Sequence, residues 1–403
     1  MSTTKLSEGV VSKTPLPRTI WLLGFVSLFM DISSELIHSL LPLFLVGTLG
    51  MSVMMVGLIE GVAESTALIV KVFAGALSDY FHRRKTLVVI GYALGALSKP
   101  AFALAQGTGV IIAARFIDRV GKGVRDAPRD ALVADLVNAQ QRGAAYGLRQ
   151  SLDTVGAFIG PLLATALMLF FVGDFRLVFW IAVVPATLAV ALLLFGVREP
   201  KPSKEPSFVN PLRRESLHRL NAAYWAVVTI GGLFTLARFS EAFLVLRAGQ
   251  LGVASSLVPL VIVVMNLVYA ISAYPFGKQA DTKSHASLLA LGLLALVAAD
   301  LVFAFASGWP AVLFGVALWG LHMGMTQGLL AAMVADTAPD ELRGTAFGLF
   351  NLVAGLATLA ASATAGVLWD RFGAATTFLA GAAISVFALA SLPALMLAKR
   401  TKH

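Results

Sequence analysis

Asp31, Ser34, Glu35 and His38 stand at positions i, i+3, i+4 and i+7 of one long apolar run. On an α-helix this spacing places all four on a single face. Two carboxyls one turn apart do not both ionise cheaply away from water, so the pair is suited to binding and releasing a proton. The same face also fits a structural network in which the acids pair with arginines, and His38 fits an ordinary hydrogen-bonded histidine. A second apolar run carries Glu60 and Glu64 one turn apart, then Lys71, for which a salt bridge to a neighbouring acid is the simpler expectation. A later stretch, RFIDRVGKGVRDAPRD, puts Arg115, Asp118, Arg119 and Lys122 on one helical face, with Arg115 deepest. Arginine keeps its proton, so a buried one must pair with an acid or meet an anion. Glu35 or Glu64 on a neighbouring helix is a natural partner, and a proton that neutralised that acid would free the guanidinium. Competition between proton and cargo for such a pair is a coupling device. Residues from Lys122 onward are expected at the inner surface, in solvated or gating roles. Arg149 and Asp153 follow at i and i+4, where an internal salt bridge is the simpler reading, and Arg238 and Glu241 at i and i+3. Asn266, Asp300, His322 and Gln327 are scattered singly, and the Gly- and Met-rich stretch around Met323 and Met325 reads as packing.

These residues need a scaffold, and composition names its class. The 403 residues are 58% hydrophobic and 13% charged, with mean hydropathy +0.83. A soluble domain is closer to a quarter charged. Here the apolar residues gather in runs of roughly 20, enough to cross a bilayer as a helix. Twelve spans fit, at roughly 19–47, 52–78, 86–106, 108–127, 143–171, 176–197, 221–247, 254–278, 285–306, 309–335, 344–369 and 374–398. The first has no small-residue cleavage site behind it, so no signal peptide is expected. Segment 198–219, REPKPSKEPSFVNPLRRESLHR, reads as a cytoplasmic linker between a half at 1–197 and a half at 220–403, each with a cytoplasmic tail. With the N-terminus inside, inner segments hold 21 of the 31 Lys and Arg residues, and outer loops hold three, Arg176, Arg247 and Arg371. That bias orients the chain with both termini cytoplasmic. The net charge of +9 is explained by basic loops facing an anionic inner leaflet rather than by nucleic acid.

The two halves repeat one another. Ala131 to Asp135 (ALVAD) returns as Ala332 to Asp336 (AMVAD), Arg142-Gly143 as Arg343-Gly344, and Ala145 to Leu148 (AYGL) as Ala346 to Leu349 (AFGL), all offset by 201. A charged hairpin, Gly75 to Lys85 (GALSDYFHRRK), returns as Gly277 to Asp281 (GKQAD), offset by 202. Parallel repeats of six spans imply an all-α membrane protein of 12 transmembrane helices in two pseudo-symmetric six-helix bundles.

With these motifs the chain resembles the major facilitator superfamily over essentially its full length, and its bacterial proton-coupled members in particular. Gly75, Asp79, Arg83 and Arg84 resemble the family signature between the second and third helices. Gly156, Gly160 and Pro161 resemble a glycine-proline motif often found in antiporters, with Leu163-Ala164 where paired glycines would complete it. Arg115 to Gly123 occupies the place of an arginine-containing fourth-helix motif. The resemblance implies that Asp79 meets the start of the eleventh helix near Arg343-Gly344, so that the hairpin, with its copy at Gly277 and Asp281, gates the inner side. Gly156 and Gly160 also allow close helix approach and bending.

No His is followed by Glu, so there is no HExxH zinc motif; no G-x-S-x-G elbow and no P-loop occurs, and the absence of Cys excludes disulfides and thiolate metal sites. The chain is therefore expected not to be an enzyme. The expected function is secondary active transport of a small molecule by alternating access, as a proton-coupled antiporter (efflux) in the cell inner membrane. It would act as a monomer in the lipid bilayer, with a proton gradient and no cofactor. The alternatives are carriage of an organic anion or anionic metal chelate, using Arg115, Arg149 and Arg238, and a transporter-shaped receptor or sensor. A divalent cation as cargo at Asp31, Glu35 and His38 is a weaker case, and no resident metal is expected.

Overall fold

The computed structural model describes residues 15–81, 84–138, 141–198, 219–280, 283–339 and 342–400. Long apolar helices let a backbone cross hydrocarbon with its N–H and C=O groups satisfied internally, and the described residues form twelve such elements and no strand. They are α1 (Arg18–Thr48), α2 (Val53–Phe81), α3 (Arg84–Leu104), α4 (Thr108–Leu136), α5 (Arg142–Phe170) and α6 (Phe175–Gly196). The second half holds α7 (Ala222–Gln250), α8 (Leu260–Ala280), α9 (His285–Phe305), α10 (Trp309–Thr337), α11 (Arg343–Phe372) and α12 (Ala374–Arg400). Eleven are apolar enough to read as membrane spans by composition. The twelfth, α4, is masked by its own charges. Its 29 residues make a helix about 43 Å long, and it packs against α2 and α3.

Two expected boundaries are corrected. Helix α4 runs on to Leu136, which carries Arg125 and Arg129 into the bundle as buried residues rather than leaving them at a surface. Helix α8 begins at Leu260, because 254–259 forms turns. All but the end residues of the 198–219 linker lie outside the described residues, as do Arg83, Asp281 and the side chain of Asp79.

The packing is two-fold. Helix pairs α1–α5, α1–α6, α2–α4, α3–α4 and α3–α6 of the first half have counterparts in α7–α11, α7–α12, α8–α10, α9–α10 and α9–α12. Between halves, α2 lies along α11 and α5 along α8, again a symmetry-related pair. The first helix of each half is interrupted at the same level. In α1, Pro42 has no N–H for the His38 carbonyl and its ring crowds that carbonyl. The helix therefore opens at Ser39 and Leu40, where Ser39 Oγ donates to the Glu35 carbonyl at 2.7 Å, and resumes through Leu41–Leu43 into a π-helical turn at Phe44–Thr48. In α7 the break falls between Ala222–Ala237 and Ala242–Gln250. Ser240 N donates there to Ser362 Oγ of α11 at 3.1 Å, and Ser240 Oγ accepts from Ala242 N at 3.3 Å. Arg238 and Glu241 thus flank an unwound segment and are not one turn apart on a helix, as their spacing had suggested.

One apolar core joins the halves at the end of the bundle where α1 finishes. It combines Leu40, Phe44 and Val56 with Phe243, Leu244 and Trp369. At the other end, where both tails lie, the core divides into one cluster per half, around Val26, Tyr92 and Leu193 and around Tyr224, Leu289 and Met333. The halves share one core at the sealed end and have separate cores at the tail end, where α2 still meets α11 at Val72 and Gly348. The sealed end carries a latch. Asp370, near the end of α11, accepts from the α2 backbone N–H groups of Val53 at 3.1 Å and Met54 at 2.9 Å. A carboxylate there caps a helix start and meets its positive dipole end. Asp370→Ala is expected to weaken this closure by about 0.5–1 kcal/mol, the low end for a cap because the site is exposed. Paired probes across the sealed end, one on each half, should then report a larger open fraction; unchanged distances would remove Asp370 from the closure.

Candidate functional site: a two-chambered polar cavity between the halves

Between the halves lies a cavity of about 330 Å³ lined by Glu35, His38 and Ser39 of α1, Glu60 and Glu64 of α2, Arg119 and Lys122 of α4, and the α7 break from Arg238 to Ala242. Both helix interruptions face it, and interrupted helices are a recurrent way to offer backbone groups and charges to a transported solute at mid-membrane. A second chamber of about 240 Å³ lies toward the tail end, with Asp31, Arg125, Asp126, Arg129 and Asp153 on one side and Asn266 and Tyr269 of α8 on the other. Glu35 and Lys122 line both chambers.

One wall of the central chamber is a closed ion network. Arg115 Nη2 donates to Glu60 Oε2 at 2.6 Å and to Glu64 Oε1 at 3.4 Å. Arg119 reaches Glu64 at 3.1 Å and Asp118 at 2.6 Å. Lys99 of α3, fully buried, holds Asp118 at 2.7 Å and Ser34 Oγ at 3.1 Å. His38 Nε2 stands 3.5 Å from Glu60 and 4.0 Å from Glu64. Of the two expected partners of Arg115, Glu64 does share it and Glu35 does not pair with it, while Glu60, not expected, holds it most closely. Lys99 is a functional residue outside the expected set, and its signal in the chain is a lone lysine within an apolar span.

Four charged residues of the cavity stand apart from that network. Among the described residues, Lys122, Arg238 and Glu241 have no ion partner within 4.0 Å, and Glu35 has only His38 Nδ1 at 3.9 Å. Two acids and two cations, one of each from each half, therefore face the same space. Asp31 likewise has no ion pair, but it lines the tail-side chamber while His38 lines the central one. The two are about 10 Å apart along the helix, so the proposed cation set of Asp31, Glu35 and His38 does not converge. His38, Glu60 and Glu64 do bring ligand-type atoms within 4.8 Å of one another. Arg115 and Arg119 already neutralise those carboxylates, so a divalent cation would leave a buried excess of positive charge.

The tail-side network ties α4 to its neighbours. Arg129 Nη1 donates to Ser27 Oγ at 3.2 Å and Tyr92 OH at 3.3 Å, and Arg125 stacks on the Tyr92 ring at 4.7 Å. Arg149 pairs with Asp153 at 2.5 Å and approaches Asp130 at 3.6 Å. Lys71 makes no ion pair among the described residues, contrary to expectation. Gly156 and Gly160 press α5 onto α1 at the two acids. A Cβ at Gly156 would lie 3.0 Å from Asp31 Cβ, and one at Gly160 would lie 2.6 Å from Glu35 Cβ. The buried Pro161 follows them within α5. Asn266 Nδ2 donates to the Ala157 carbonyl at 3.1 Å, a hydrogen bond between halves. A Cβ at Gly75 would lie 3.4 Å from Ala127 Cβ of α4, one at Gly277 would meet nothing within 4 Å, and Arg84 pairs with Asp135 at 3.0 Å.

Comparison with known proteins agrees with this architecture. The family model of the Major Facilitator Superfamily matches residues 23–249 and 230–403. An uncharacterized MFS-type transporter of Methanocaldococcus jannaschii is 30% identical, over 92% of this chain and 93% of that one. The multidrug resistance protein MdtH of Klebsiella pneumoniae is 26% identical over 83% of this chain and 81% of its own length. The fold is also that of a POT family transporter crystallised with 5-aminolevulinic acid, at a TM-score of 0.79 and 13% identity, over 94% of this chain and 97% of that one. The chain is a multi-pass membrane protein and belongs to the Major Facilitator Superfamily of transporters.

Proposed function

We propose that the chain is a proton-coupled antiporter that exports an amphipathic or cationic small molecule. It works as a monomer in the inner membrane, with both termini in the cytoplasm. The observation that carries this reading is Glu35, an acid at the junction of the two chambers, with the His38 imidazole as its only ionisable neighbour within 4.0 Å among the described residues. Such a carboxyl is free to hold either a proton or a cationic cargo, whereas every acid of the adjoining network is already committed to an arginine or lysine. With the tail end cytoplasmic, the end where each half keeps its own core is the loading side. An ionised Glu35 and Glu241 there attract a cation. On the acidic side of the membrane a proton displaces it, and the neutral carboxyl lets the carrier return. Similarity to proteins named for multidrug resistance supports export.

A second reading has its own observation. Lys122 and Arg238 also face the cavity without partners, and an anion or anionic chelate would satisfy them. Purified protein in vesicles with an imposed proton gradient separates the cases. Outward movement of a lipophilic cation, driven by acid on the far side and absent without a gradient, is the expected result. Gradient-independent or anion-driven flux that is lost in Arg238→Ala would turn the assignment to an anion carrier. No flux of either class, with binding retained, would point to a receptor.

A further inference from the structure

A carboxyl unused by this scheme lies in the second half. Asp300 of α9 is fully buried, and neither of its oxygens has a hydrogen-bond partner. Around it is an aromatic cluster in which Phe239 meets Phe378 and Trp319 at 5.5 Å and Phe303 stacks on Phe378 at 4.9 Å. The Trp319 indole N–H and the Ser385 hydroxyl, one turn along α12 from Gly381, are also buried without partners. Gly381 is the point of contact. A Cβ there would sit 2.8 Å from Asp300 Oδ2 and 3.0 Å from Phe239 Cε1, so the acid and the ring both border the space of one missing methyl.

Among the described residues no charged group balances Asp300. On α10, His322 spends Nδ1 on the Gly292 carbonyl, two turns away along α9. On α12, residues 374–393 include no charge. On α7, Arg247 is held by the carbonyls of Phe303, Ala304 and Ala306 at 3.0–3.4 Å, and Arg238 and Glu241 point to the cavity. An isolated carboxylate in such a place is far costlier than the neutral acid.

We propose that Asp300 is a second proton-binding site, loaded in this conformation and opened to the cavity by movement of Phe239 at the α7 break. Phe239 belongs to both compartments: it lines the central cavity and touches the Gly381 surface beside Asp300. If the α7 break rearranges during transport, the ring withdraws and water reaches the acid. Asp300 then gives its proton to cavity water and is left as a carboxylate. Arg238, the residue before Phe239 and itself without an ion partner, is the cation available to meet it. The proposal shares the proton-coupled reading but does not depend on Glu35.

Infrared difference spectroscopy of the full chain in lipid nanodiscs tests it. The wild type is expected to show a protonated-carboxyl stretch that persists at neutral pH and disappears in Asp300→Asn but not in Glu35→Gln. Phe239→Ala, which leaves the acid in place and admits water, is expected to lose the band at neutral pH and regain it on acidification. A band unchanged by Asp300→Asn, or one held at neutral pH in Phe239→Ala, would overturn the assignment. If Asp300→Asn does not fold, the Phe239→Ala titration alone decides. Failure of the Glu35 scheme would show as full gradient-driven flux in Glu35→Gln and leave this band untouched, so the two ideas fail separately.

Discussion

Arg115→Met is expected to destabilise the folded protein by about 3–5 kcal/mol, because breaking one side of a buried ion pair strands the other. The stranded group is Glu60, whose side chain is 3% exposed, as is that of Arg115, and whose Oε1 already has no partner. Glu64 would retain Arg119 at 3.1 Å, so the loss concentrates on Glu60. Removing the charge from both members is therefore expected to restore most of the stability. Glu60→Gln in the Arg115→Met background should recover well over half of the lost denaturation midpoint, whereas Glu64→Gln should recover little. Thermal or denaturant unfolding in a single detergent, compared across the four proteins, measures this. Equal rescue by both glutamates would mean that Arg115 is shared evenly, against the 2.6 and 3.4 Å distances. An undisturbed Arg115→Met would show that water reaches Glu60.

Glu35→Gln is expected to leave stability within about 0.5 kcal/mol of the parent and to abolish proton-driven export. The side chain is 26% exposed to the cavity and makes no ion pair except a 3.9 Å approach to His38, so the fold does not lean on its charge. Transport does, because the amide neither binds nor releases a proton. The sign follows from the protonation step. In the parent, binding of a lipophilic cation weakens as pH falls, since the protonated carboxyl no longer attracts it. In Glu35→Gln the residual binding should lose most of this pH dependence, and exchange of cargo for cargo should outlast net export. Counterflow and gradient-driven flux in the same vesicles distinguish the two processes. Full gradient dependence in the variant would falsify the assigned role and pass it to Glu241, the other acid of the central chamber without an ion pair among the described residues.

Much of this architecture is legible in the chain. Apolar runs long enough to span hydrocarbon announce eleven of the helices, and a 201-residue offset announces the pseudo-symmetry. Helix α4 escapes a composition search because it is the charged partner of its neighbours, yet its length and place in the repeat reveal it. Charges in apolar runs also marked most of the cavity, since a charge held in that setting has a reason to be there. Glu35, Glu64, Arg119, Arg238 and Glu241 were all named from that signal.

What the chain by itself did not decide is which charge meets which. Spacing along one helix says that Arg115, Asp118 and Arg119 share a face. It does not say that Glu60 takes Arg115, that Lys99 comes across from α3 to Asp118, or that Lys122 and Arg238 are left open to the cavity. Those outcomes depend on the angle and height at which separate helices pack, and ion pairing falls off within a few ångströms. Asp370 carried no signal at all, because its partners are backbone N–H groups of a helix more than 300 residues earlier. The break in α1 could be read from Pro42, but that in α7 has no proline and is held by Ser240 and Ser362 from different helices. Sequence determined the helices, their repeat and the charges they carry, because these follow from local hydrophobicity and period. Only the tertiary structure decided which charges are neutralised and which remain free, because that choice is made across helix interfaces and not along a chain.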